Sequence, residues 1–264
     1  MLCGPDAALA VLPWDGPEVA ALLAGQAGGG PVVRAIDEAD VVVAFTRSEP
    51  VLAALDARAR CLIAHDPTPP PGGPHAARWL EKAIGTLVES APADSRDPGV
   101  LVFTEAERRD AGERTRELPT GFLAVHPGSG SPSKNWPWPR FLEAARRLAA
   151  GRPWLLMAGP AEHALVLPPD ALLARDWPLR RLAAAIARAE LFLGNDAGVS
   201  HLAAAVGAPT LALFGPTDPA IWAPVGPRVA TRRPKSASLA DLQVEEVVAA
   251  AQALRSAASG LPSG

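Results

Sequence analysis

From residue 121 onward the chain alternates between brief apolar runs and longer stretches of helical periodicity. Residues 122–125, 154–158, 191–193 and 210–214 are short and continuously apolar, as expected of strands buried on both faces. Residues 139–150 place Phe141, Leu142, Ala145, Leu148 and Ala149 on one helical face, with Pro139 in the first turn and Gly151 beyond the end. Helices are also predicted at 179–189, at 200–206, where Gly207 and Pro209 stop the run, and at 244–254. Strands that alternate with helices predict a parallel, doubly wound sheet.

The first part of the chain is less regular. Strands are expected at 7–12, 32–33, 41–45, 61–64 and 100–103, and helices at 17–23, 50–57 and 75–88, with a Pro/Gly loop at 67–74. Residues 94–98 are polar, and 105–117 are densely charged with little apolar periodicity. The connection between domains is placed there, which gives a first domain at 1–115 and a second at 116–264.

Composition narrows the reading. A chain of 264 residues with 48% hydrophobic content buries a sizeable core and accommodates two small domains. The formal net charge of −3 excludes a globally basic surface, so nucleic acid is not an expected partner. Cys3 and Cys61 supply neither a disulfide framework nor metal-ligand spacing, which suits a reducing compartment. The N-terminus carries Asp6 in its apolar stretch and lacks a basic flank, unlike a signal peptide, and no apolar run reaches membrane-spanning length. A cytoplasmic location is expected.

Ligands of such sheets bind where strands end and helices begin. Three of these junctions have unusual content. The first runs from His126 through Pro127-Gly128-Ser129-Gly130-Ser131 to Lys134-Asn135-Trp136-Pro137. Glycines allow close approach of backbone amides to an anion, Ser129 and its neighbours donate hydroxyls, and Lys134 is a compact positive charge before a helix. It reads equally as a diphosphate cradle or a surface loop, and lacks the Gly-Lys-Ser/Thr ending of a Walker loop. The second, Gly194-Asn195-Asp196-Ala197-Gly198-Val199-Ser200-His201, offers amides at a helix start; Asp196 alone reads more simply as a helix N-cap, and His201 as a core residue or a ligand contact. The third, Phe214-Gly215-Pro216-Thr217-Asp218, alone reads as a turn. His65, His75 and His163 lack metal spacing, and Trp136 and Trp138 read as packing anchors.

Taken together, in order and spacing, these segments resemble the family 9 glycosyltransferases, the lipopolysaccharide heptosyltransferases. The likeness lies in Pro127-Gly128-Ser129 with Lys134-x-Trp136-Pro137, Asp196-x-Gly198-x-x-His201-Leu202-Ala203-Ala204-Ala205, Gly207-x-Pro209 and Phe214-Gly215-Pro216-Thr217, and it covers about residues 121–224 and the terminal helix. The resemblance implies an α/β protein of the GT-B type, two Rossmann-like domains with parallel sheets, the N-terminal one reduced. It implies an inverting glycosyltransferase that moves a sugar, heptose above all, from a nucleotide-diphospho-sugar such as ADP-heptose to a lipopolysaccharide-like or lipid-linked acceptor. By the same analogy Ser129, Gly130 and Lys134 contact the diphosphate or sugar, Glu162 reaches the ribose, Asp196 holds sugar hydroxyls, and Ala197, Gly198 and His201 complete the pocket. Lys134 and Asp196 are then the catalytic candidates. No cofactor or metal is expected, since no Asp-x-Asp segment argues for one.

The resemblance breaks at both a loop and a residue. Family members often carry Thr where this chain has Ala197, and they open with a strand and a Gly-Asp loop whose Asp is the presumed general base. Here only Asp15 or Asp66 stand in as weak candidates. Three explanations remain open: a start upstream of Met1, a reduced acceptor domain with another acid, or a nucleotide-sugar-binding or scaffolding protein without catalysis. Another GT-B enzyme, such as a sugar-nucleotide epimerase, is a further alternative; a dinucleotide oxidoreductase is disfavoured because no strand leads into Gly-x-Gly-x-x-Gly. The basic tract Arg228, Arg232, Arg233 and Lys235 reads first as solvated surface, and otherwise as attraction for a phosphorylated acceptor or peripheral contact with an anionic inner-membrane face.

Overall fold

The computed structural model describes residues 12–26, 29–85, 87, 101–159 and 168–259. The strand expected at 7–12 lies outside them apart from Leu12. The chain divides into two compact units, Cys3–Asp94 and Ser95–Gly264.

In the first unit, α1 (Pro17–Leu23), α2 (Pro31–Glu38), α3 (Glu49–Asp56) and α4 (Ala76–Ile84) accompany two parallel strands, β1 (Val42–Phe45) and β2 (Leu62–His65). Val19, Leu22, Val32, Val33, Ile36, Ala44 and Leu55 form its core. The strand expected at 32–33 is instead the first turn of α2. Two adjacent valines suggest a strand, but Val32, Val33 and Ile36 together make a helical stripe, and Pro31 starts the helix at its preferred first position.

The second unit contains α5 (Glu105–Arg114), β3 (Leu123–His126), α6 (Trp138–Ala149), β4 (Trp154–Ala158), β5 (Ala171–Arg175), α7 (Leu179–Ile186), β6 (Leu191–Asn195), α8 (Gly198–Ala205), β7 (Thr210–Leu213), α9 (Pro219–Trp222), β8 (Val229–Arg232) and α10 (Val244–Ser259). Its six strands are all parallel, in the order β5-β4-β3-β6-β7-β8. The chain thus works outward from β3 to one side, then crosses back to β6 and works outward to the other. That reversal puts the topological switch point between β3 and β6, where sheets of this type open a crevice beyond their strand ends.

Both sheet faces are covered, as the apolar runs require. Leu123 and Val125 of β3 point into a core shared with Phe141 and Leu148 of α6 and Val247 of α10. Ala124 points the other way, with Leu155, Phe192, Leu182 and Ile186. Burying these alternate residues contributes about 1.5–3 kcal/mol per large side chain.

One expectation around residue 100 fails. Residues 101–104 form no strand; the Leu101 amide bonds the Ala205 carbonyl at 3.0 Å and Phe103 is buried in the second core. The charged stretch that follows is the helix α5, although of its residues only Ala111 is buried. Its charges explain this. Thr104 and Glu107 form a capping box, and Glu107 also pairs with Arg180 of α7 at 2.5 Å, so polar contacts anchor a helix with no apolar stripe.

Candidate functional site

The three loops singled out by sequence meet at the switch point. β3 ends in His126, and the chain passes through Pro127–Ser131 into a single 3-10 turn, Pro132–Lys134. β6 ends in Asn195, followed by Asp196 and α8. β7 delivers Phe214–Thr217.

Asp196 is where they join. Its Oδ2 accepts from Lys134 Nζ at 2.8 Å and from the Thr217 hydroxyl at 2.7 Å. The Asp196 side chain is 7% exposed and that of Lys134 is 30% exposed, so the carboxylate is sunk in the floor while the ammonium reaches solvent. A charge buried this far requires a paired, hydrogen-bonded partner, and here it has both. Asp196 is therefore not the N-cap of α8. That position is Ala197, which supplies no side-chain cap. The helix start lacks a side-chain oxygen beside its first amides, and its dipole favours an anion there.

The other expected contacts fall as follows. Ser129 is half-buried, and its hydroxyl donates to the Ser131 carbonyl at 2.7 Å while accepting from the Ser131 amide at 3.2 Å, which shapes the loop. A Cβ added at Gly130 or Gly198 meets nothing within 4 Å. The fold itself does not demand glycine at either position; open space lies there. Gly194 differs, since a Cβ there comes within 2.8 Å of Phe192 and 2.9 Å of the Ser200 hydroxyl. His201 is exposed on the first turn of α8 rather than buried in the core. Glu162 and His163 lie outside the described residues.

Beside these loops, a cavity of about 270 Å3 opens at the carboxyl ends of β3, β4 and β5. Met157, Trp177, Leu179, Leu182 and Val199 supply apolar surface, and His126 and Asp176 supply polar groups. Val199 belongs to the first turn of α8, so cavity and helix start are adjacent. Neither the sequence runs nor the loop motifs pointed to Trp177 or Asp176, because β5 was not expected and both follow it.

Sequence reasoning also missed Asn195 and underrated Thr217. The basic tract is only partly a solvated surface: Arg228 donates to the Gly207 carbonyl at 2.5 Å, in the turn before β7, and Arg233 to the Gly215 carbonyl at 3.0 Å, in the third loop. Trp136 is 1% exposed and stacks edge-on against Phe141, as a packing anchor should. In the first unit, Asp15 is exposed, and Asp66 is held by Arg47 with both oxygens 2.8 Å from its Nε. That bond, with one from the Thr68 amide, holds the Asp66 carboxyl below its ordinary value and makes it a weaker base. His75 caps α4, and Cys61 is exposed and free. Among the described residues, no group of three or more His, Cys, Asp or Glu is arranged for a metal ion, and no helix is long and apolar enough to cross a membrane.

The second unit is thus a parallel α/β sheet whose switch point carries a lysine, a buried carboxylate and a helix start without a side-chain cap. Residues 91–249 match the profile of glycosyltransferase family 9 (heptosyltransferase), and the chain belongs to that family. Lipopolysaccharide heptosyltransferase 3 of Escherichia coli is 32% identical over 114 residues, covering 39% of this chain and 34% of that protein, so the match spans about a third of the relative. Among solved structures, E. coli ADP-heptose lipopolysaccharide heptosyltransferase II superposes with a TM-score of 0.70 at 18% identity, over 92% of this chain and 83% of that one. E. coli heptosyltransferase WaaC with ADP gives 0.63 at 17% identity, over 91% and 79%. The fold is thus the α/β, GT-B type of these enzymes.

Proposed function

We propose that the chain is an inverting glycosyltransferase that takes a nucleotide-diphospho-sugar, an ADP-heptose-like donor, and transfers the sugar to a lipopolysaccharide-like acceptor. The observation that carries this reading is the Lys134–Asp196–Thr217 contact beside the uncapped start of α8. A diphosphate fits that corner, with the Lys134 ammonium on one side and the amides of Gly198 and Val199 on the other. The neighbouring apolar cavity suits the nucleoside, and its polar rim suits base and ribose. In this reading Asp196 accepts from sugar hydroxyls, with Ser129, Gly130, Ala197 and His201 around them.

In the transfer, the acceptor hydroxyl attacks the anomeric carbon as the bond to the diphosphate breaks. Negative charge grows on the leaving diphosphate, and Lys134 with the fixed amides stabilises it more in the transition state than in the bound donor. The acceptor hydroxyl needs a base, and Asp66 is tied to Arg47, which holds its carboxyl below the ordinary value. That ion pair favours a second reading, a donor-binding protein without transfer.

Incubating the chain with ADP-heptose and heptose-free lipopolysaccharide separates the two. Mass-shifted acceptor and released ADP support the enzyme. Donor binding without either product supports the second reading, and absence of donor binding refutes both. The basic tract that follows the third loop, with Arg232 and Lys235 exposed, suits an anionic acceptor, and action at the cytoplasmic face of the inner membrane follows from the same proposal.

A further inference from the structure

We infer that Asn195 is the positioning residue that holds the Lys134 loop in its anion-binding shape. This inference rests on the diphosphate reading of that loop. Asn195 is fully buried at the end of β6, so it touches no ligand itself. Its Nδ2 donates to the Pro127 carbonyl at 2.7 Å, and its Oδ1 accepts from the Trp136 amide at 3.1 Å. A longer contact, 3.4 Å, runs from Nδ2 to the Asn135 side-chain oxygen. Pro127 and Trp136 are the two ends of the loop that contains Lys134.

One carboxamide therefore closes the loop like a clasp. The chemistry requires an amide: one end must donate and the other accept, in one plane, at this length. Aspartate keeps only the accepting half, and leucine keeps neither. Both backbone groups are buried, so losing the clasp leaves a carbonyl and an amide without partners and releases both loop ends. Asn195 is itself locked, because the Ser200 hydroxyl donates to its backbone carbonyl at 2.5 Å. The next residue is Asp196, which receives Lys134. A single dipeptide thus sets both the frame of the loop and the point at which its lysine is held.

The test begins without ligand. Brief acetylation of the intact chain, read by mass spectrometry, compares Lys134 with the exposed Lys82 and Lys235 in the same sample. In the unaltered protein Lys134 reacts several-fold more slowly than those two. In Asn195→Leu its rate rises to theirs, while a cooperative urea transition of the same variant, followed by tryptophan fluorescence, reports an intact fold. If the leucine variant does not fold, Asn195→Asp gives the same comparison, because it keeps the accepting oxygen but cannot hold Pro127. An unchanged Lys134 rate in the folded variant overturns the inference.

Calorimetry with ADP and adenosine supplies the functional arm. Asn195→Leu lowers ADP affinity at least tenfold and adenosine affinity by less than twofold. In a Lys134→Ala background the same change costs ADP less than threefold more. Equal losses for ADP and adenosine, or full additivity with Lys134→Ala, also overturn it. If the unaltered chain binds no ADP while Lys134 is unmasked as expected, the donor reading fails and the positioning role stands.

Discussion

Replacing Glu107 with glutamine tests whether charge, rather than apolar packing, holds α5 against α7. The carboxylate bonds Arg180 at 2.5 and 2.9 Å and the Thr104 amide at 2.8 Å. Above all the Arg180 bond, then the Thr104 amide, lowers its pKa from 4.5 to about 2. Taken whole, that difference corresponds to ~3.4 kcal/mol. The two side chains are 25% and 20% exposed, so water screens part of it and ~1.5–2 kcal/mol is the better expectation.

Because the folded pKa is depressed, the stabilisation is complete above pH 4.5 and is lost as pH falls towards 2, with more than half gone by about pH 3. Glutamine keeps an accepting oxygen for the cap and removes only the charge. Urea unfolding, followed by the buried Trp136 and Trp154, therefore shows Glu107→Gln less stable by ~1.5–2 kcal/mol at pH 7, with the gap at least halved at pH 3. A gap of equal size at both pH values refutes the charge account. The same helix α7 carries Leu179 and Leu182 into the wall of the cavity at the strand ends.

Further substitutions separate fold from ligand. Gly194→Ala pushes a methyl into Phe192 and Ser200 and costs ~1–3 kcal/mol of stability by urea titration, whereas Gly130→Ala and Gly198→Ala, which meet open space, leave stability within ~0.5 kcal/mol and, on the proposed function, weaken ADP binding in calorimetry. Lys134→Ala strands the buried Asp196 charge and lowers stability by ~1–3 kcal/mol; adding Asp196→Asn recovers most of that loss while donor binding stays lost, and a double variant no more stable than the single one contradicts the pairing.

The second sheet was legible because its strands are buried on both faces. Runs such as 154–158 and the stripe through Phe141 and Leu148 have little alternative, and β4 and α6 fall within a residue or two of expectation. β5 and β8 were not anticipated. Both lie at sheet edges, and β5 is a half-buried Ala/Leu run behind two prolines that resembles helix as much as strand. The helix α5 was hidden because its anchor, Arg180, lies 73 residues away. Residue motifs marked Lys134 and Asp196 but left open whether Asp196 caps a helix or holds a ligand; only the bonds from Lys134 and Thr217 decide that it is no cap. Asn195 carried no local signal at all, since its role is to join residues 59 and 68 positions distant.

The proposed function rests on three strand-end loops forming one diphosphate corner, and an ADP titration followed by backbone amide NMR tests it residue by residue. The amides of Ser129, Gly130, Lys134, Gly198 and Val199 are expected to shift together and saturably, whereas those of α10 stay still. Shifts that leave both the Lys134 loop and the start of α8 unmoved contradict it.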